Sequence, residues 1–186
     1  GGIDNLTLEA HTLAVINNYL SYFKGNQDVF PRENEFILFL ALHDIGKPAA
    51  IQIGTRRLQH KESIRILNDL EEMFPISQES FYKIKTFIDG DPLGEHLSSS
   101  INISQQETRD VINKMSEKLG EPIENIFRNL IIYYQCDAAG YDYLRSKLFL
   151  TDDRDRLKFD ESESKLFFKD ELESKFGQLK VFMEIA

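Results

Sequence analysis

The chain has 186 residues, 41% of them hydrophobic and 28% charged, and its 31 acidic side chains outnumber 22 basic ones for a formal net charge of −9. That length suits one domain burying roughly 70% of its unfolded surface, with no apolar run near the roughly 18 to 20 residues of a membrane span and no signal-peptide pattern at the start. The acid excess argues against duplex nucleic acid as a partner, and the single cysteine, Cys136, excludes an intramolecular disulfide and fits a reducing, cytoplasmic setting.

Gly1-Gly2 at the start suggests a cleavage scar or an excised domain. From Leu6 to Phe23, Leu13, Ile16, Leu20 and Phe23 recur at helical spacing, Asp4 or Thr7 can cap the start, and Gly25-Asn26 stops the helix. Glu35 to Ile45 is apolar on nearly every side, the mark of a helix enclosed by others, and Gly46 and Pro48 end it. Ala50 to Ile53 alternates like a short strand. A loop with Gly54, Arg56 and Arg57 leads to a helix from about His60 to Phe74, closed by Pro75. Ser77 and Ser80 introduce a helix to Ile88, and Asp89-Gly90-Asp91-Pro92 has turn chemistry. Ser104 and Glu107 form a capping box for a helix through Leu119, and Pro122 opens another that leads into Cys136-Asp137. The predicted fold is all-α, with a domain over 1–150 and a charged C-terminal helical extension over 151–186 packed on or beside it. Within that extension Thr151 to Glu173 reads as solvated and separate from any chemistry.

His43-Asp44 closes the most hydrophobic helix, where a buried carboxylate needs a hydrogen-bonding network or a cation. The plain alternative is a histidine capping a helix end beside an aspartate that accepts from backbone or arginine. His11 shares a partly apolar stripe with Leu8 and Val15, and Asp137 follows an apolar helix; singly, these read as a satisfied core histidine and a helix terminator. Together, two imidazoles and two carboxylates from three inward-facing helices supply the donors that a divalent transition metal accepts. Lys47 can hold a phosphate oxygen or merely complement a helix C-terminus. Arg56 and Arg57 can line a phosphate entrance or be plain surface arginines. Asp91 can be a ligand, a base or a turn residue, and Cys136 reads as packing.

A lone histidine on a first helix, Leu42-His43-Asp44-Ile45-Gly46-Lys47-Pro48 at the end of a second, and a distant Asp137 resemble the HD superfamily of metal-dependent phosphohydrolases. The form resembles stand-alone HD phosphohydrolases and the HD domains attached to tRNA nucleotidyltransferases, over about residues 6 to 145, with His60-Lys61-Glu62-Ser63 in keeping. The resemblance implies a bundle of roughly five core helices with peripheral ones, and His11, His43, Asp44 and Asp137 as metal ligands. It implies hydrolysis of a phosphomonoester or phosphodiester, of a nucleotide or cyclic nucleotide, by metal-activated water. Asp44, Lys47 and His60 would serve catalysis, and Lys47, Arg56, Arg57 and Asp91 would bind substrate. Manganese, nickel, cobalt, magnesium, iron and zinc all suit such ligands. Acids replace the paired histidines that two-metal relatives carry near Asp89, which favours one ion over two. Competing expectations are a metal- or nucleotide-binding sensory module without turnover and a di-iron oxygenase of the same fold.

Overall fold

Thr7 caps the first helix by accepting from the Ala10 N–H at 3.1 Å, as an N-cap should. The computed structural model describes residues 6–55, 58–98 and 102–185. Helix α1 (Leu8–Asn18) widens into a π-type turn over Tyr19–Phe23. The buried stripe is His11, Val15, Tyr19 and Phe23, whereas Leu13 and Leu20 of the expected stripe are 53% and 42% exposed. Four-residue steps overrun each α-helical turn by about 40°, and the wider π-type turn takes up that drift and returns Phe23 to the core. The expected stripe is corrected at Leu13 and Leu20, and the core face runs through His11, Val15, Tyr19 and Phe23.

Helix α2 (Glu33–Leu42) is enclosed as expected, with Phe36, Phe39 and Leu40 wholly buried. Phe39 meets Phe30, Phe36, Phe87 and Tyr133 with ring centroids 4.9 to 5.9 Å apart, mostly tilted or edge-on. After a short turn, Pro48 sits in the first turn of α3 (Lys47–Gln52), so it opens a helix as well as following one. The expected strand at Ala50 to Ile53 is corrected by the same helix: four residues of alternation are too few to decide a period, and Ile51 and Ile53 are exposed.

Helix α4 (Gln59–Leu70) precedes α5 (Gln78–Ile88), which Ser77 caps. Asp91 then caps a short helix, α6 (Pro92–Leu97), which the turn chemistry of Asp89 to Pro92 did not announce. The Ser104–Glu107 capping box starts α7 (Gln105–Leu119), and α8 (Ile123–Ala138) is buried along most of its length. Asp137 lies inside the last turn of α8 rather than beyond it.

Helix α9 (Asp142–Leu148) leads to a hairpin of β1 (Phe159–Asp160) and β2 (Lys165–Leu166), paired antiparallel with Phe159 opposite Leu166, and then to α10 (Asp170–Met183). Leu157, Leu166, Phe168, Leu172, Phe176 and Leu179 join the same hydrophobic core as α2 and α8. Helices α1, α2, α5, α7 and α8 pack on one another, giving the expected all-α bundle with one small sheet at its side. Among the described residues no helix is long and apolar enough to cross a membrane.

Candidate metal centre and its cavity

The break between α2 and α3 shapes the site. His43 caps α2, Asp44 stands in the turn, and the Lys47 N–H donates to the Asp44 carbonyl at 2.9 Å to start α3. Leaving the helix here lets two consecutive side chains serve one place, whereas within a helix neighbours point about 100° apart. The turn is pinned by Gly46, whose N–H donates to Ser63 Oγ at 3.0 Å.

Three helices bring their donors together. His11 Nε2 lies 2.8 Å from Asp137 Oδ1, and His43 Nε2 lies 3.1 Å from the same oxygen. The other ring nitrogens face backbone carbonyls, His11 Nδ1 at 3.5 Å from Gly140 and His43 Nδ1 at 2.6 Å from Leu40. A carbonyl only accepts, so each Nδ1 carries the proton and each Nε2 is the nitrogen left to bind a cation or a second proton. Ligand bonds of roughly 2.0 to 2.2 Å place neighbouring donors roughly 3 Å apart, which matches these separations. His11, His43 and Asp137, whose donor atoms lie within 4.8 Å of one another, thus form a group that could hold a metal ion.

Asp44 stands one step back from this trio. Its Oδ2 is 3.8 Å from His11 Nε2 and 3.7 Å from His43 Nε2, and it accepts from Lys47 Nζ at 2.9 Å. Its Oδ1 accepts from Gln59 Nε2. Lys47 Nζ also donates to the Tyr141 hydroxyl at 2.6 Å, and the Tyr141 ring stacks on His11 with centroids 3.9 Å apart.

The electrostatics report crowded negative charge. Burial pushes the His43 imidazolium down, but its hydrogen bond to Asp137 and the charges of Asp44 and Asp137 outweigh this and raise it to about 9. Burial acts to raise Asp137, yet hydrogen bonds from His11 and His43 and their positive charge hold it well below the usual carboxylate range. Asp91 is pushed up to about 6 by burial and then by the charge of Asp137. Burial, followed by the charges of Asp137, Asp91 and Asp44, also lifts the Tyr133 phenol far above its ordinary range. Three carboxylates around one buried phenol fit a cation in the group of His11, His43 and Asp137.

Asp44 and Asp137 line a cavity of about 380 Å³, together with Lys47, His60 and Asp91. His60 Nδ1 is 2.9 Å from the Ile88 carbonyl, which leaves Nε2 available to the cavity. The Asp91 carboxylate accepts from the Gly94 N–H at 3.0 Å, combining the turn role with a place at the cavity. The structure thus brings His11, His43, Asp44, Lys47, His60, Asp91 and Asp137 to one locality. Arg56 and Arg57 lie outside the described residues. His96, the fourth histidine, faces the Ile103 carbonyl at 2.8 Å and is not part of the cavity lining. Cys136 is fully buried with its thiol pushed well up by burial, consistent with packing.

Sequence reasoning missed Tyr141, Gln59 and Tyr133. It also missed Lys147, Lys169 and Lys175, which line the cavity from α9 and from α10 with its cap. Lys169 and Glu171 line the cavity, and Leu157, Leu166, Phe168 and Leu172 of the same stretch are buried, so the expectation that Thr151 to Glu173 is solvated is corrected. Gly140, three residues beyond Asp137, is where a Cβ would lie 3.0 Å from His11 Cε1, so the missing side chain leaves room for the ring.

Fold and site together define a helical-bundle protein with a buried histidine–aspartate group suited to a cation, set beside a small-molecule cavity. Comparison with protein-family models, with curated proteins and with solved structures finds no match.

Proposed function

We propose that the chain is a metal-dependent phosphohydrolase of the HD superfamily, cleaving a small phosphomonoester or phosphodiester of the nucleotide class with one divalent ion. The observation that carries this is the convergence of His11 Nε2, His43 Nε2 and Asp137 Oδ1, each ring held by a carbonyl at Nδ1, next to a cavity of about 380 Å³ that also holds Lys47 and His60. The order of these residues along the chain, and the Asp44-Ile45-Gly46-Lys47 continuation, are what the resemblance leads one to expect.

An ion at the trio would supply Lewis acidity, activating a water and polarising a phosphoryl oxygen. The protein's own groups do the rest. Lys47 has three N–H donors, of which Asp44 and Tyr141 orient two, leaving one for a phosphoryl oxygen. The His60 ring, with Nδ1 against the Ile88 carbonyl, leaves Nε2 to the cavity, where it can pass a proton between a water and a leaving oxygen. Asp91, titrating near 6, is a second proton-holding group on the same wall. Asp44 accepts from Lys47 through one oxygen and from Gln59 through the other, so its work here is to orient Lys47 and add charge beside the trio. Tyr133, Tyr134 and Tyr141 offer ring surface to a base-bearing substrate.

The test is metal analysis of the purified protein alongside phosphate release from a panel of nucleoside monophosphates, 2′,3′-cyclic nucleotides and simple esters. The proposal expects bound metal and turnover in the wild type, with both lost in His43→Ala and Asp137→Ala. Protein that stays inactive across the panel after reconstitution with each candidate metal would overturn it in favour of a binding module. Oxygen-dependent turnover on two irons would overturn it in favour of the oxygenase.

A further inference from the structure

The phosphohydrolase reading accounts for one part of the cavity and leaves the wall built by α9 and the start of α10 without a task. Lys147, Lys169 and Lys175 line that wall, in the same cavity as Asp44 and Asp137. Lys175 is compensated by Glu171 at 3.4 Å. Lys169 Nζ donates to the Ser146 carbonyl, and Lys147 Nζ lies 5.9 Å over the Tyr143 ring, and neither has a carboxylate partner among the described residues. Their backbones adjoin, since the Lys169 N–H donates to the Leu148 carbonyl at 2.9 Å. Both lysines are exposed at the cavity, and neither ammonium is neutralised by a carboxylate of the described residues. An anion seated against this wall would use donors that an ammonium otherwise leaves to water.

We propose that this wall binds a second anionic group of the substrate, so that the protein prefers a phosphate ester carrying a further phosphate elsewhere on the molecule. The inference rests on the phosphohydrolase reading for the first phosphate. Volume limits the ligand: about 380 Å³ is near the lower end of small-molecule sites, which span roughly 300 to 1,000 Å³, so the ligand is a bis-phosphorylated nucleoside or sugar rather than a polymer. Charge gives the wall a second use. The carboxylates Asp44, Asp91, Glu95 and Asp137 disfavour the approach of any phosphate, Glu171 is paired with Lys175, and Lys147 and Lys169 supply attraction in the same cavity.

The test compares equilibrium binding of adenosine 3′,5′-bisphosphate with adenosine 5′-monophosphate, and of fructose 1,6-bisphosphate with fructose 6-phosphate, by calorimetry at fixed salt. Wild-type protein should prefer the bisphosphate of at least one pair by about tenfold or more, the scale of one charge-assisted contact. Lys147→Ala with Lys169→Ala should bring that ratio to about one, whereas the double arginine variant, which keeps the charges, should retain it. Equal affinities within both pairs in the wild type, or a preference that survives the double alanine change, would overturn the inference. Phosphate release, followed separately, keeps the two ideas distinct. A lysine-dependent preference without hydrolysis of any ester would remove the phosphohydrolase reading and leave the anion wall. Hydrolysis without the preference would do the reverse.

Discussion

Replacing Gly46 by alanine should damage the protein out of proportion to one methyl group. A Cβ built there would lie 2.2 Å from Ser63 N and 2.6 Å from both the Gln59 carbonyl and Ser63 Oγ, so two of its three nearest neighbours are α4 backbone that no rotamer change can move. Ordinary contact begins near 3.4 Å, so α3 and α4 must part by about 1 Å. Backbone conformation is no obstacle, since φ is −83° and ψ is −8°; the cost is contact alone. Overpacking of this kind costs about 1 to 3 kcal/mol, and straining the buried Gly46 N–H to Ser63 Oγ bond adds about 1 kcal/mol, for a total of about 2 to 4 kcal/mol. The same displacement moves Gln59, which holds Asp44, and His60 beside it. Urea denaturation should therefore show the loss in stability, and metal affinity should fall with it. Ser63→Ala, which adds no atoms but leaves the buried Gly46 N–H without its acceptor, should cost about 1 to 3 kcal/mol without parting α3 from α4. A Gly46→Ala midpoint equivalent to a change below about 0.5 kcal/mol, with unchanged slope, would refute the packing argument.

Three further outcomes follow from the geometry. Tyr141→Phe keeps the ring over His11 but removes the hydroxyl that accepts from Lys47, so phosphate release should fall several-fold with metal content retained; loss of metal instead would show that the hydroxyl supports the trio itself. In chelator-treated protein, the raised His43 pKa contributes stability that is full below its ordinary 6.5 and disappears as pH rises through about 9, so the melting temperature should decline across that window and His43→Gln should flatten the decline. Asp91, also raised, contributes stability below about 4 that is lost as pH rises through about 6. Asp91→Asn keeps an N-cap for Gly94, so at about pH 8 the metal-free variant should melt above the wild type, with no gain at about pH 4; a lower melting temperature at both would contradict the assigned sign.

Local chemistry was legible in the sequence wherever it acts within a few residues. The Ser104–Glu107 box, the Ser77 cap and the apolar saturation of α2 are all found in the structure because each depends on neighbours along the chain. That His11, His43, Asp44 and Asp137 need polar partners was legible from the apolar helices that carry them, whereas their assignment to one site came from the resemblance, and the structure brings them together. What escaped was spatial. The π-type turn at Tyr19–Phe23 reassigns a helix face without any residue that marks it. Tyr141 reaches Lys47 across a separation of 94 residues, and Gln59 reaches Asp44 from the next long helix. The lysines of α9 and α10 were hidden by the surrounding acids, since net charge averages over faces that folding separates.

The most direct test of the account is a calorimetric titration of chelator-treated protein with manganese or zinc, run on the wild type and on variants at His11, His43 and Asp137. The account predicts about one equivalent bound, with affinity lost when any of the three is replaced by alanine and a proton released on binding as His43 gives up the charge it carries in the metal-free state. No binding by the wild type, or binding that persists when all three are replaced together, would contradict it.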